Sequence, residues 1–336
     1  MNTKIDVSNM RQVIIDSALQ LPEGLELAKN ITVEGNFTNI IICGMGGSTL
    51  PALLIETLHI KPALPIYIHQ SYGLPVQADQ NSLIICISYS GNTEETVSSL
   101  QEAVQKKLTT IAMATGGEIA SIAKKNNIPL VTIPSGIQPR CATGYIFSAL
   151  VQILINAKVF PDISPEILAA AKQLQEAAPS LKKEGKTLAK KLHKKIPVIY
   201  ASKNFEALSH IWKIKFNENS KIPAFWNFFP ELNHNEMVGY TKIKNSKLKI
   251  QNFHVLMLQD ANDHPRIIKR MALTANLIKK SGAKTQTINF QEGSIVFKIF
   301  SCLLLGDWTS YYLAMEYGID PTPVKIVEEF KGMMVK

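Results

Sequence analysis

The first half of the chain alternates short apolar runs, rich in β-branched residues, with longer stretches whose apolar positions recur at helical spacing. The runs are residues 39–44, 65–70, 83–89, 109–115 and 130–134. Continuous apolar runs are typical of parallel strands buried on both faces, and the helical stretches between them, such as 93–107, predict crossover connections. The pattern therefore predicts a doubly wound α/β sandwich.

The same alternation returns after a helical segment at 159–192 that opens with prolines. The later strand-like runs are residues 196–202, 224–228, 253–260 and 283–290. We therefore predict two similar αβα halves and delimit them as domains 1–155 and 156–336. A length of 336 residues agrees with two domains of roughly 100–200 residues each.

Composition narrows the class of protein. With 46% hydrophobic and 19% charged residues, the chain can bury a large core, which excludes a disordered or fibrous protein. No stretch reaches about 18 apolar residues, and the start lacks the apolar centre of a signal peptide. We expect a cytoplasmic protein without a membrane partner.

The net charge of +9 raises the question of an anionic partner. Residues 182–195 contain seven lysines and one glutamate, without the arginines and paired aromatic residues of a nucleic-acid surface. We interpret this segment as a solvated helix face and expect no nucleic-acid partner.

Cysteine and histidine spacing points to neither a disulfide framework nor a metal site. Cys43, Cys86, Cys141 and Cys302 lie far apart, so we interpret them as reduced residues. The segment around His234 lacks companion ligands at zinc spacing. We predict no metal and no other cofactor.

Two polar loops follow predicted strands. Glycines at 44–47 end the first strand, where backbone amides could face an anion at the start of the next helix. A dinucleotide fingerprint would need a third glycine where Thr49 stands, and a P-loop is absent.

The third strand leads into Ser88, Ser90 and Thr93 before a predicted helix. Spacing alone leaves two interpretations open, a phosphate cradle or a turn with Thr93 as helix cap.

The two loops together resemble the sugar isomerase (SIS) domain, whose members bind phosphosugars at the carboxyl edge of a flavodoxin-like sheet. Further segments resemble the bifunctional phosphoglucose/phosphomannose isomerases within that superfamily. All the matching segments are 44–48, 88–96, 134–140, 217–221, 230–236 and 320–324. The resemblance covers nearly the whole chain and implies two SIS-type αβα sandwich subdomains, each with a mainly parallel flavodoxin-like sheet.

The resemblance also implies a set of substrate-binding residues for a phosphosugar. Ser48, Ser88, Ser90 and Thr93 would hold the phosphate, and Gly46 and Gly47 would line the sugar. Neutral hydroxyls and a helix N-terminus would satisfy the phosphate charge, which leaves the surplus lysines to steer the anion by long-range attraction.

The resemblance implies a catalytic set of four further residues. Glu218 would transfer a proton between two sugar carbons, for which one carboxylate suffices. His234 would open the sugar ring, and the resemblance implies that the partner subunit of a homodimer supplies it. Arg140 would stabilise the enediolate. Lys331 would lie near the ring oxygen, with Lys325 as a competing candidate.

The implied reaction is metal-free isomerisation of glucose 6-phosphate and of mannose 6-phosphate with fructose 6-phosphate. Two alternatives stay open: an isomerase of one phosphosugar or aminosugar phosphate, and a non-catalytic phosphosugar sensor. A sensor would not need Glu218, Arg140 and His234 together, so their joint presence favours an enzyme.

Overall fold

A computed structural model describes residues 5–60, 62–242 and 249–334. The helices described are Met10–Ile15 (α1), Gln20–Ala28 (α2), Leu50–Thr57 (α3), Glu94–Gln105 (α4), Gly117–Lys125 (α5), Thr143–Asn156 (α6), Ser164–Leu192 (α7), Glu206–Glu218 (α8), Pro265–Ser281 (α9), Ile295–Glu316 (α10) and Lys325–Met334 (α11). The strands are Asn39–Gly44 (β1), Ile66–His69 (β2), Ser82–Ile87 (β3), Thr109–Ala114 (β4), Leu130–Thr132 (β5), Ile196–Ser202 (β6), Phe225–Phe229 (β7), Phe253–Gln259 (β8) and Lys284–Asn289 (β9).

The chain divides into two compact units, each built around one sheet. The β1–β5 unit comprises Asp16–Gln175 and Ser294–Phe297, and the β6–β9 unit comprises Met1–Ile15, Glu176–Gly293 and Lys298–Lys336. This division falls inside α7, later than the predicted limit at residue 155. The start of the chain belongs with the second sheet, where the Asp6 carboxylate accepts hydrogen bonds from the Met10 amide and the Tyr311 hydroxyl. Domains 1–155 and 156–336 stay a prediction.

The sheet of the β1–β5 unit is parallel throughout, in the order β2-β1-β3-β4-β5. This is the flavodoxin-like order that the resemblance implies. The chain moves from β1 to one side of the sheet and returns to the other at β3, so a crevice opens at the carboxyl ends of these two strands. In open α/β sheets such a switch point is where ligands bind.

Both faces of this sheet are covered. Ile41 and Ile84 pack against Val97 and Leu100 of α4. Side chains alternate across a strand, and Ile40, which points to the opposite face, is also fully buried. The prediction of continuous apolar strands inside a sandwich is confirmed for this unit.

The sheet of the β6–β9 unit is also parallel, in the order β7-β6-β8-β9. Val255 and Met257 of β8 pack with Met271 and Ile278 of α9. On α8, which contacts β6, Trp212 is fully buried and its indole nitrogen donates to the Cys302 carbonyl oxygen at 3.1 Å. Within the described ranges, none of the helices is long and apolar enough to cross a membrane.

Candidate active site

The two polar loops of the β1–β5 unit meet at the switch point. Gly44, the last residue of β1, lies beside Ile87, the last residue of β3. A Cβ atom added to Gly44 would lie 2.7 Å from the Ile87 carbonyl oxygen, so only glycine permits this approach. The Tyr89 amide donates to the Ser48 hydroxyl at 3.0 Å. The structure therefore brings together two motifs that are far apart in the sequence.

Ser88 is the centre of the second loop. Its hydroxyl donates to Thr93 Oγ1 at 2.9 Å and accepts from the amides of Gly91 and Thr93 at 3.1 and 3.3 Å. Ser88 is fully buried, Thr93 is half-buried, and Ser90 is exposed at the turn. Ser88 thus shapes the loop, whereas Ser90 faces solvent.

The interpretation of this loop as a turn with Thr93 as helix cap holds in part. Thr93 occupies the N-cap position of α4, and Glu94 and Glu95 lie in the first turn, as a simple turn would have them. The Thr93 side chain makes no capping hydrogen bond, however, because its hydroxyl is directed toward Ser88. The hydroxyls therefore gather in front of the α4 N-terminus, where partial positive charge favours an anion.

Gly91 fixes the shape of the same loop. Its φ angle is +74°, and an added Cβ atom would lie 1.8 Å from the Gly116 carbonyl oxygen. The Gly91 carbonyl oxygen accepts from the Ile119 amide at 2.9 Å, and Asn92 Oδ1 accepts from the Glu118 amide at 3.0 Å. These contacts attach the loop to the start of α5.

Arg140 lies in a third loop beside the first. A Cβ atom added to Gly47 would lie 2.8 Å from the Arg140 amide nitrogen, so the two loops are in close contact. Arg140 is 1% exposed, and its guanidinium donates to Gln138 Oε1 at 3.2 Å. A buried guanidinium held in this way can stabilise negative charge with little reorganisation.

Tyr89 joins the second and third loops, a function that sequence reasoning missed. Its hydroxyl donates to the Pro134 carbonyl oxygen at 2.8 Å and accepts from the Ile137 amide at 3.3 Å. Burial raises the pKa of Tyr89 and keeps this phenol protonated at neutral pH. The only signal in the sequence was an aromatic residue between two serines of a polar loop.

Glu218 lies in the β6–β9 unit, at the last position of α8. The residues that follow are anchored: Asn219 donates to the Ser310 hydroxyl at 3.0 Å, and the Ser220 hydroxyl donates to the Ser310 carbonyl oxygen at 2.7 Å. Lys221 donates to the Pro321 carbonyl oxygen at 3.0 Å. Glu218 itself is half-buried and directly precedes this anchored segment.

His234 ends a short 3-10 turn, Glu231–His234, of the same unit. The preceding Asn233 donates to Thr274 Oγ1 at 2.9 Å and accepts from Arg270 at 3.2 Å, which attaches the turn to α9. His234 is exposed.

The two candidate lysines both belong to α11, in which Lys325 is the first residue. Both are exposed, and the Lys331 ammonium lies 3.7 Å from the Glu328 carboxylate. The choice between the two lysines stays a prediction.

The carboxyl edge of the second sheet has different chemistry. Asp260, just after β8, is buried and pairs with Lys298 at 2.7 Å. Burial raises the pKa of nearby Asp263. A buried ion pair and a second carboxyl group thus stand near this edge, in contrast to the hydroxyls of the first sheet. Across the described residues, no three His, Cys, Asp or Glu side chains are grouped to hold a metal ion.

These features define an α/β protein with two SIS-type parallel sheets and a hydroxyl-rich loop at the switch point of the first. Residues 181–334 match the family described as the bacterial phospho-glucose isomerase C-terminal SIS domain. The chain belongs to the bifunctional phosphoglucose/phosphomannose isomerase family, which confirms the resemblance drawn from its motifs.

The relatives that show this family membership match the chain over most of their own length. The bifunctional phosphoglucose/phosphomannose isomerase of Caldicellulosiruptor bescii is 36% identical over 96% of this chain and 99% of that protein. Its counterpart in Aquifex aeolicus is 32% identical over 93% and 94%. The C-terminal domain of glucosamine-fructose-6-phosphate aminotransferase from Francisella tularensis shares the fold, with a TM-score of 0.70 and 14% identity over 93% of this chain and 97% of that one.

Proposed function

We propose that the protein interconverts glucose 6-phosphate with fructose 6-phosphate, and mannose 6-phosphate with fructose 6-phosphate. The observation that carries the proposal is the meeting of three loops beside the switch point of the first sheet, with Ser48, Ser88 and Arg140 among their residues. The names of the two relatives support the same pair of reactions.

The substrate phosphate binds at the second loop in this proposal. The hydroxyls of Ser48, Ser90 and Thr93 and the N-terminus of α4 supply neutral donors and partial positive charge, while Ser88 donates to Thr93 Oγ1 and so holds the loop that presents them to the phosphate. The net charge of +9 attracts the doubly negative sugar phosphate from a distance.

The reaction itself is a proton transfer between C2 and C1. His234 protonates the ring oxygen and opens the sugar. Glu218 then removes the C2 proton of the aldose, the electron pair forms the C1–C2 double bond, and the former carbonyl oxygen becomes an enediolate oxygen. Glu218 returns the proton to C1, and the hydroxyl proton of O2 passes to O1, so that O2 becomes the carbonyl oxygen of the ketose. Arg140 stabilises the enediolate charge, Lys331 lies near the ring oxygen, and no metal is required.

Dual specificity follows from the intermediate. Glucose 6-phosphate and mannose 6-phosphate differ only at C2, so both give the same enediolate. Rotation about the C2–C3 bond lets Glu218 address either face of C2.

The proposal includes a homodimer in which each subunit supplies His234 to the site of its partner. The exposed position of His234, at the end of an anchored turn, supports this arrangement. Two-fold symmetry generates two equivalent sites.

The test is a product assay. Purified protein pretreated with EDTA is mixed with fructose 6-phosphate, and glucose 6-phosphate and mannose 6-phosphate are followed separately. We expect both products. Glucose 6-phosphate alone would restrict the activity to one sugar, and binding without either product would indicate a phosphosugar sensor.

A further inference from the structure

Glu236 lies two residues beyond His234, and its carboxylate accepts hydrogen bonds from side chains of the second sheet. The Tyr200 hydroxyl donates to Glu236 Oε1 at 2.5 Å, and the Asn227 amide donates to Glu236 Oε2 at 2.5 Å. Tyr200 and Asn227 are register partners on β6 and β7, so they project from the same face of the sheet. One carboxylate therefore bridges two strands.

The direction of these hydrogen bonds is fixed. Asn227 Oδ1 accepts from the Phe228 amide at 2.8 Å, which turns the Asn227 amide group toward Glu236. A carboxylate only accepts, so Tyr200 must donate its one proton to Glu236. The Tyr240 hydroxyl, 3.0 Å from that of Tyr200, must then donate to Tyr200. Burial is the main cause that raises the pKa of both phenols, that of Tyr240 to about 12, so both stay protonated near neutral pH.

The turn that bears His234 is thus held on both sides. Asn233 attaches it to α9 through Thr274 and Arg270, and Glu236 attaches it to the sheet. Asn235 Oδ1 also accepts from the Glu236 amide at 2.5 Å, which stiffens the link between the two anchors. His234 and Asn235 are the exposed residues between them.

We propose that Glu236 is a positioning residue that holds His234 in the orientation needed for ring opening. A fixed backbone on both sides of His234 limits the directions that its ring can take, and small displacements of a proton-transfer group reduce turnover strongly. This inference rests on the proposed function of His234. It adds the clamp formed by Glu236, Tyr200 and Asn227, which no motif in the sequence indicated.

Glu236→Gln tests the clamp, because the amide cannot accept at both positions. We expect kcat for fructose 6-phosphate to fall by about 10- to 100-fold, with KM changed by less than about 3-fold, because the loops of the β1–β5 unit are untouched. Tyr200→Phe removes one donor, and we expect a smaller loss in the same direction. Tyr317→Phe is the matched control, since its hydroxyl accepts from the Lys194 amide instead.

The decisive comparison uses the His234→Gln background. If Glu236 acts through His234, the Glu236→Gln and Tyr200→Phe changes should lower kcat in the wild-type protein and leave kcat of the His234→Gln protein unchanged within about 2-fold. Equal losses in both backgrounds would overturn the positioning role, as would wild-type kcat in both single variants. If Glu236→Gln does not fold, Tyr200→Phe alone decides the comparison.

The same data separate this inference from the proposed function. If His234→Gln turns over as fast as the wild type, the proposed role of His234 is wrong. If His234→Gln is impaired while Glu236→Gln and Tyr200→Phe are not, only the positioning role is wrong.

Discussion

Single side chains set the predictions for the proposed reaction, beginning with Glu218. The residue is half-buried, and its neighbours Asn219 and Ser220 are anchored to Ser310. Since a base is needed only for proton transfer, its loss should affect turnover and spare binding.

Glu218→Gln should therefore lower kcat by about 10²- to 10⁴-fold. Calorimetric titration with fructose 6-phosphate should give a Kd within about 3-fold of the wild-type KM, because the phosphate contacts remain. The control is Glu206→Gln at the other end of α8, whose carboxylate bonds to Lys203. Normal turnover by Glu218→Gln would show that another group is the base.

Two serines of one loop should respond differently to the same substitution. Ser88→Ala leaves the Thr93 amide without its acceptor, while the Gly91 amide keeps the Ser88 carbonyl oxygen, so we expect a loss of about 1–3 kcal/mol in the free energy of unfolding together with a raised KM. Ser90→Ala removes an exposed hydroxyl that accepts from the Asn92 amide at 3.3 Å, a bond that solvent can replace, so only KM should rise. Urea unfolding and initial rates measure both quantities. An unchanged KM in both variants would contradict a phosphate site at this loop.

At the scale of elements, the strand-like runs predicted all nine described strands. Central strands such as β3 read as continuous hydrophobic segments because both of their faces are buried, whereas the edge strand β9 is largely polar and partly exposed. The sequence pattern could not predict that the division between units falls inside α7. The apolar residues of a helix recur at the same spacing whichever hydrophobic core they pack against. Nor could spacing show that Tyr89 joins two loops or that Glu236 bridges two strands, since both depend on contacts distant in sequence. The motifs nominated Ser88 and Arg140 only because a family resemblance gave them context.

One strand carries a buried titratable group that the proposed reaction does not use. His254 on β8 is 3% exposed, and its pKa is lowered to about 4, chiefly by burial and also by the charges of Lys284, Lys191 and Lys195. Its Nδ1 atom has no hydrogen-bond partner. The folded state therefore favours the neutral ring.

His254 should make stability depend on pH. Because its folded pKa lies below the unfolded value of about 6.5, its contribution is complete above that pH and is lost as the pH falls toward 4. Thermal unfolding between pH 7.5 and pH 4 should show a smaller fall in Tm for His254→Gln than for the wild type. His59→Gln, at an exposed position, is the control. Equal pH dependence of His254→Gln and wild type would contradict this assignment.

At the scale of the whole molecule, the predicted residues are divided between two units. The hydroxyl loops and Arg140 belong to the β1–β5 unit, whereas Glu218, His234 and Lys331 belong to the β6–β9 unit. An exposed histidine on an anchored turn is suited to act in the site of the partner subunit. Testing this part of the proposal requires the assembled dimer.

Co-expression of two differently tagged chains, Glu218→Gln and His234→Gln, gives that test after tandem purification. In a composite dimer, one site receives the intact Glu218 of one chain and the intact His234 of the other, while the second site receives neither. The hybrid should then have about half the wild-type turnover per dimer, although each parent is nearly inactive. A hybrid no more active than its parents would place both residues in the site of their own subunit, and the failure to isolate any doubly tagged protein would contradict the homodimer itself.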